Sequence, residues 1–251
     1  MKKKILFIDP VYNDDFCDTI SEYLDNVKRS DTDIEVISLG KKPGPEHLEY
    51  RCYEIMAMPD IVRMVKEAEE SGYDAAIIGC FYDPALRACR EVAEKMVVSA
   101  PAESSLHIAS TIGESISIIV GRQKWMPEIK ETIHKYGFFD KVVSIKPLGM
   151  GVLDFQKDHE QTLKRMRRAA IEAVEKDGAD VIVRGCTAEL GFFKELQNEL
   201  GIPVIDVSLA AFKYAEFLVD LKQNMDWTHS KRAGYQSPPS EEMAAFRLFT
   251  N

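Results

Sequence analysis

Gly178-Ala179-Asp180-Val181-Ile182-Val183-Arg184-Gly185-Cys186 repeats the pattern of Gly72-Tyr73-Asp74-Ala75-Ala76-Ile77-Ile78-Gly79-Cys80. In each copy glycine stands eight positions before the cysteine and aspartate six before. Each follows a charged stretch of helical spacing and leads into a turn and another helix. The short, continuous apolar runs between aspartate and glycine read as strands of a parallel sheet covered on both faces. Outward from these two anchors the chain alternates strand and helix. Lys4–Ile8, Ile34–Ser38, Ala75–Ile78 and Met96–Ser99 read as strands before residue 103. Ser115–Val120, Val142–Ile145, Val181–Val183 and Val204–Ile205 read as strands after it. Helices are expected at Asp15–Lys28, Pro59–Ser71, Pro84–Lys95, Met126–Tyr136, Gln161–Lys176, Leu190–Leu200 and Leu209–Lys222.

The expected fold class is therefore α/β, with two pseudo-symmetric lobes, each a short parallel sheet flanked by helices. Residues 1–103 and 209–225 form the first lobe, 104–208 the second, and 226–251 a C-terminal extension. Right-handed crossovers connect the strands, and ligands of open α/β sheets lie beyond the C-terminal strand ends. Both Gly-Cys pairs occupy such ends. The expected site is the inter-lobe cleft, with one thiol facing the other. Two such thiols can move a proton from one face of a carbon to the other.

Composition narrows the alternatives. The 251 residues are 45% apolar and carry a net charge of −9, which disfavours nucleic acid and anionic membrane as partners. The apolar run after Lys4 stops at Asp9, too short for a signal-peptide core, and no stretch approaches the ~20 apolar residues of a membrane span. A soluble cytoplasmic protein acting on a small molecule is expected. The five cysteines, Cys17, Cys52, Cys80, Cys89 and Cys186, include no C-x-x-C pair, so a disulfide scaffold and structural zinc are both disfavoured. Cys89 falls between Leu86 and Val92 on a helix and reads as core, and Cys17 and Cys52 read as packing residues.

The matched thiols carry the chemistry. Asp83 suits a helix N-cap and Pro84 the first helical position, while Thr187 and Glu189 suit a cap and first turn after Cys186. Helix N-termini there would favour a thiolate or an anionic substrate group. Gly79 and Gly185 would let a ligand approach the backbone closely. His107, Trp125, Phe138 and Phe139 read as packing residues and Glu103 as a helix cap. Lys164, Arg165, Arg167 and Arg168 read as a solvated face or subunit contact.

At these residues the chain resembles the Asp/Glu racemase superfamily, and more closely its hydantoin racemase branch, over about residues 4–222. Cys80-Phe81-Tyr82-Asp83-Pro84 is similar to that branch's Cys-Phe-Asp-Asp-Pro. Gly185-Cys186-Thr187-Ala188-Glu189 resembles the Gly-Cys-Thr phrase of amino-acid racemases. Glu103–Ala109 and Ile202–Asp206 resemble the helix start and closing strand of the family. The resemblance implies a cofactor-independent two-base racemase with Cys80 and Cys186 catalytic and no metal. Gly79, Phe81, Tyr82, Gly185 and Thr187, which fall in the two motifs, and Asp9, Tyr12 and Arg122, where the chain departs from the family pattern, make up the expected substrate site. By analogy the chain forms a homo-oligomer.

Three departures stand out. Asp9-Pro10-Val11-Tyr12 replaces the usual Asn-Pro-Asn-Thr, Gly121-Arg122 replaces Thr-Thr, and Arg184 replaces an apolar residue. Either arginine suits a carboxylate or ureido clamp or an ion pair. The same fold on a carboxylated substrate remains as amino-acid racemase, maleate-type isomerase, C–N lyase or decarboxylase, and a non-catalytic sensor is the third reading.

Overall fold

The computed structural model describes residues 2–245; the last part of the expected extension, 246–251, lies outside them. The strands are β1 Lys3–Asp9, β2 Thr32–Ser38, β3 Ala75–Ile78, β4 Val97–Ser99, β5 Ile116–Val120, β6 Val142–Pro147, β7 Val181–Arg184 and β8 Val204–Asp206. The helices are α1 Cys17–Asp25, α2 Arg51–Glu70, α3 Leu86–Val92, α4 Pro101–Ile112, α5 Met126–Tyr136, α6 His159–Asp177, α7 Phe193–Leu200, α8 Val207–Met225 and α9 Ser240–Ala245. The strands form two four-stranded parallel sheets, ordered β2-β1-β3-β4 and β6-β5-β7-β8, so the two halves share one topology.

Each letter of the repeated phrase has a structural reason. Gly72 and Gly178 adopt φ of +81° and +72°, ending α2 and α6 in the left-handed conformation that glycine takes without strain. Asp74 and Asp180 then staple the first strand of each sheet. The Asp74 carboxylate accepts from the Lys4 amide at 3.0 Å, and the Asp180 carboxylate from the Glu114 and Ser115 amides at 3.1 and 2.8 Å. Those amide donors hold the Asp180 carboxyl below the usual carboxylate range. The strands that follow, β3 and β7, are buried at every position.

Helices α1, α6 and α8 start within two residues of expectation, and the starts of α2, α3 and α7 differ for local reasons. Helix α2 begins at Arg51 and carries Pro59 inside it. Its buried positions Ala57, Ile61, Val65 and Ala68 run on through the proline at helical spacing, and that apolar face outweighs one lost backbone bond. Helix α3 begins at Leu86, not Pro84. Proline drives its predecessor out of the right-handed helical region, and Asp83 and Ala85 both take positive φ, 53° and 55°. Helix α7 begins at Phe193, because Gly191 is left-handed at φ +88°. The helices after Cys80 and Cys186 thus begin only at Leu86 and Phe193, so neither cysteine stands beside the helix start expected for it.

The chain divides into two compact units. One runs to Gly79, resumes over Asp83–Ala100 and again from Phe212; the other comprises Cys80–Tyr82 and Pro101–Ala211. The divisions thus fall just before α4 and within α8, against the expected 103/104 and 208/209. Cys80–Tyr82 joins the second unit because Phe81 and Tyr82, 4% and 9% exposed, are buried in its apolar cluster with Ile118, Val120 and Trp125. Residues 226–245 belong to the first unit. There His229 Nε2 accepts from the Val98 amide at 2.9 Å, Ser237 donates to the Glu91 carbonyl at 2.7 Å, and Arg90 donates to the Tyr235 hydroxyl at 3.2 Å. The basic row on α6 is partly engaged within its own unit. Arg167 pairs with Glu195 and Glu199 at 3.1 and 2.6 Å, and Arg165 donates to the Leu148 and Gly149 carbonyls. Among the described residues no helix is long and apolar enough to cross a membrane.

Candidate active site

In the first unit, β1 and β3 run side by side with Ile8 opposite Ile78, and the Gly79 amide donates to the Ile8 carbonyl at 2.8 Å. Asp9 therefore ends β1 alongside Gly79. Burial pushes the Asp9 carboxyl up to about 7, so that acid and carboxylate forms coexist near neutral pH. Tyr12 lies in the bend after β1. Its hydroxyl donates to Asp60 Oδ2 at 2.6 Å, and its ring lies where a Gly44 side chain would otherwise stand. Its hydrogen is thus engaged within the first unit.

The second unit repeats the same strand ending. Ile119 lies opposite Arg184, and the Gly185 amide donates to the Ile119 carbonyl at 2.7 Å. Cys186 follows, half-buried against the apolar cluster of this unit; Cys80 is half-buried against the same cluster. Arg122, half-buried, follows β5 and starts a 3₁₀ turn, its carbonyl accepting from the Trp125 amide at 3.0 Å. The carbonyl of half-buried Thr187 accepts from Ser208 Oγ at 3.4 Å. Cys80, Phe81, Tyr82, Arg122, Gly185, Cys186 and Thr187 thus share one unit, while Asp9, Tyr12 and Gly79 belong to the other. Among the described residues no three His, Cys, Asp or Glu side chains form a group able to hold a metal ion.

Arg184 resolves as an ion pair: it is 1% exposed and bridges Asp206, whose side chain is 3% exposed. Glu189, read from sequence as a first-turn acid, is instead 1% exposed beside this pair, and burial pushes its carboxyl up to about 8. The signal for such a cluster was a charged residue inside an otherwise apolar strand, because a fully buried arginine requires a partner.

The remaining cysteines differ in kind. Burial pushes the Cys89 thiol up to about 12 and the Cys17 thiol up to about 11, and Cys52 is exposed on α2. Thiols raised this far carry little thiolate at neutral pH. His107, also exposed, sets its ring edge-on to Phe138 at 5.1 Å.

A sequence model described as Asp/Glu/Hydantoin racemase matches residues 5–215. The chain belongs to this family. It is 36% identical over 214 residues to a hydantoin racemase of Pseudomonas sp. (strain NS671), covering 85% of this chain and 83% of that one. It is 33% identical over 240 residues to a hydantoin racemase of Paenarthrobacter aurescens, covering 95% and 99%. Its fold matches an allantoin racemase from Klebsiella pneumoniae with a TM-score of 0.87, 27% identity and 95% of each chain covered. The chain is an isomerase, a racemase of this family.

Within this racemase the glycines before the two cysteines are fixed by close approach. A Cβ on Gly79 would strike the Phe7 ring and stand 2.9 Å from the Ile8 carbonyl oxygen. A Cβ on Gly185 would stand 3.0 Å from both the Ile119 carbonyl oxygen and Ile118 Cγ2. Gly79→Ala is expected to destabilise by roughly 1–3 kcal/mol and Gly185→Ala by less, as overpacking does. Urea-unfolding midpoints check the order, and an unchanged midpoint for Gly79→Ala would contradict the close-approach explanation.

Proposed function

We propose that the chain racemises 5-substituted hydantoins without a cofactor, with Cys80 and Cys186 as its two acid–base groups. The observation that carries this reading is the matched pair itself. Two half-buried cysteines follow structurally equivalent strand ends and border one apolar cluster. The named hydantoin racemases among its relatives supply the substrate class.

The chemistry asks little beyond the two sulfurs. The hydrogen at C5 of a hydantoin is acidic because the carbanion left behind delocalises into the adjoining C4 carbonyl as an enolate. One cysteine, as thiolate, takes that proton. The other, as thiol, returns a proton to the opposite face, and the roles exchange for the other enantiomer. Backbone N–H groups of the turns after Gly79 and Gly185 are the candidate donors to the enolate oxygen. Arg122 offers a planar fork to the ring carbonyls or to a ureido side chain, and Phe81 and Tyr82 offer apolar wall.

The test uses single enantiomers of several 5-monosubstituted hydantoins, allantoin and free amino acids in D2O. The expected result is loss of optical rotation with one deuterium gained at C5 of a hydantoin. Exchange of free amino acids alone, or no exchange across the panel, overturns the hydantoin reading. The carboxylate chemistries of this fold would then come forward.

A further inference from the structure

Arg184 stands on β7, two residues before Cys186, and is 1% exposed. A guanidinium at that depth needs partners for both charge and N–H groups. Its Nη2 pairs with Asp206 Oδ2, and its Nη1 donates to the main-chain carbonyl of Glu189. Each partner holds something else. The second Asp206 oxygen accepts from the Ser208 and Leu209 amides at 3.0 and 3.1 Å, capping the first turn of α8. The Glu189 amide donates to the Cys186 carbonyl at 3.4 Å, closing the turn that begins at the cysteine. The link from Ser208 Oγ to the Thr187 carbonyl joins the same turn to the same helix. One planar side chain thus ties both ends of a short path: the turn after Cys186 on one side and the head of α8 on the other.

We propose that Arg184 is a positioning residue for Cys186: its guanidinium fixes the turn Cys186–Glu189 against the first turn of α8 and thereby sets where the thiol stands. The catalytic part of the inference rests on the reading of Cys186 as an acid–base group; the clamp itself does not. Lysine cannot replace the clamp in full, because an ammonium lacks the rigid fork that serves two acceptors in divergent directions.

Arg184→Met alone strands the buried Asp206 carboxylate, so the double variant Arg184→Met/Asp206→Asn is made beside it. The double variant removes both charges and keeps a side-chain oxygen for the α8 cap. Three readouts are compared with wild type: amide hydrogen exchange over residues 187–191, iodoacetamide alkylation of Cys186 relative to Cys80, and kcat against KM. For the folded double variant, exchange over 187–191 should quicken about tenfold or more, the scale of losing one charge-assisted hydrogen bond. Exchange in β1 and β5 should hold. Alkylation of Cys186 should quicken about fivefold relative to Cys80, because the freed turn exposes a half-buried thiol. The kcat should fall about 10–100-fold with KM little changed, since a small misplacement of a reacting group costs that much. Arg184→Lys should recover part of the loss. Unchanged exchange and alkylation in the double variant overturns the clamp, and faster exchange with unchanged kcat overturns its catalytic role. A wild type inactive on every hydantoin would remove the hydantoin reading, while exchange and alkylation would still decide the clamp.

Discussion

Cys80→Ser and Cys186→Ser will each lower racemisation of a 5-substituted hydantoin by about 10²–10⁴-fold or more, the range that a positioned acid–base group contributes. A serine hydroxyl is a far weaker acid than a thiol, so it neither becomes the anion that takes the C5 proton nor readily gives one back. The two losses should be comparable from either enantiomer, because a full turnover uses one sulfur as base and the other as acid. Combining the two substitutions should cost little more than either alone, as groups acting as one unit do not contribute additively. Polarimetry with C5 deuteration in D2O measures both events, since inversion requires both groups whereas exchange with retention requires one. Cys89→Ser and Cys52→Ser serve as controls: Cys89 is a core thiol raised to about 12 and Cys52 is exposed on α2. If one of the matched cysteines proves dispensable, the two-base mechanism fails. Single-cysteine isomerase or decarboxylase chemistry on this fold would take its place.

Glu189→Gln will change how stability depends on pH. The Glu189 carboxyl is pushed from 4.5 to about 8 by burial, with Arg184 opposing the rise and Asp206 adding to it. Neither carboxyl oxygen has a hydrogen-bond partner. A carboxyl raised in the folded state stabilises the fold fully below its unfolded value, and that contribution is lost as pH rises through the folded value. Wild type should therefore lose stability relative to the glutamine variant between about pH 4.5 and 8, and level off above. Each tenfold change in acidity is worth about 1.4 kcal/mol, so the relative change over that window is roughly 3–5 kcal/mol. Glutamine brings a buried amide of its own, which adds a constant offset, so the slope against pH carries the prediction. Asp9, raised to about 7, titrates in both proteins and cancels in the difference. Urea midpoints at pH 5 and pH 9 suffice, and parallel profiles would show that Glu189 is ionised in the folded protein at neutral pH.

The repeat was legible because its parts act locally. A glycine that stops a helix, an apolar run of four, and a glycine under a neighbouring carbonyl each leave a mark within a few positions. Those marks pointed to two parallel sheets of like topology, and the cysteines following the second glycine of each copy were singled out on the same ground. Local rules failed where two of them competed. Pro84 suits a helix start, but it also forbids Asp83 the helical conformation, and the chain resolves this with two left-handed residues before α3. Gly191 likewise sits left-handed inside the segment expected to open α7. Pro59 marks a helix start by local rules, yet the apolar face of α2 continues through it.

From the sequence alone, then, come the α/β class, the duplicated strand-Gly-Cys ending, the choice of Cys80 and Cys186 over the other three cysteines, and the family resemblance. All follow from spacing within short windows or from motifs contiguous in the chain. Tertiary structure alone decided that Arg184 is neutralised by Asp206 and not held out for a substrate, and that Tyr12 donates to Asp60. It also decided that Glu189 is sealed from water, and that Cys80–Tyr82 packs with the second unit. In each case the partner lies tens of positions away, or the environment is assembled from several elements. Burial and charge pairing depend on that assembly, and no local pattern encodes it.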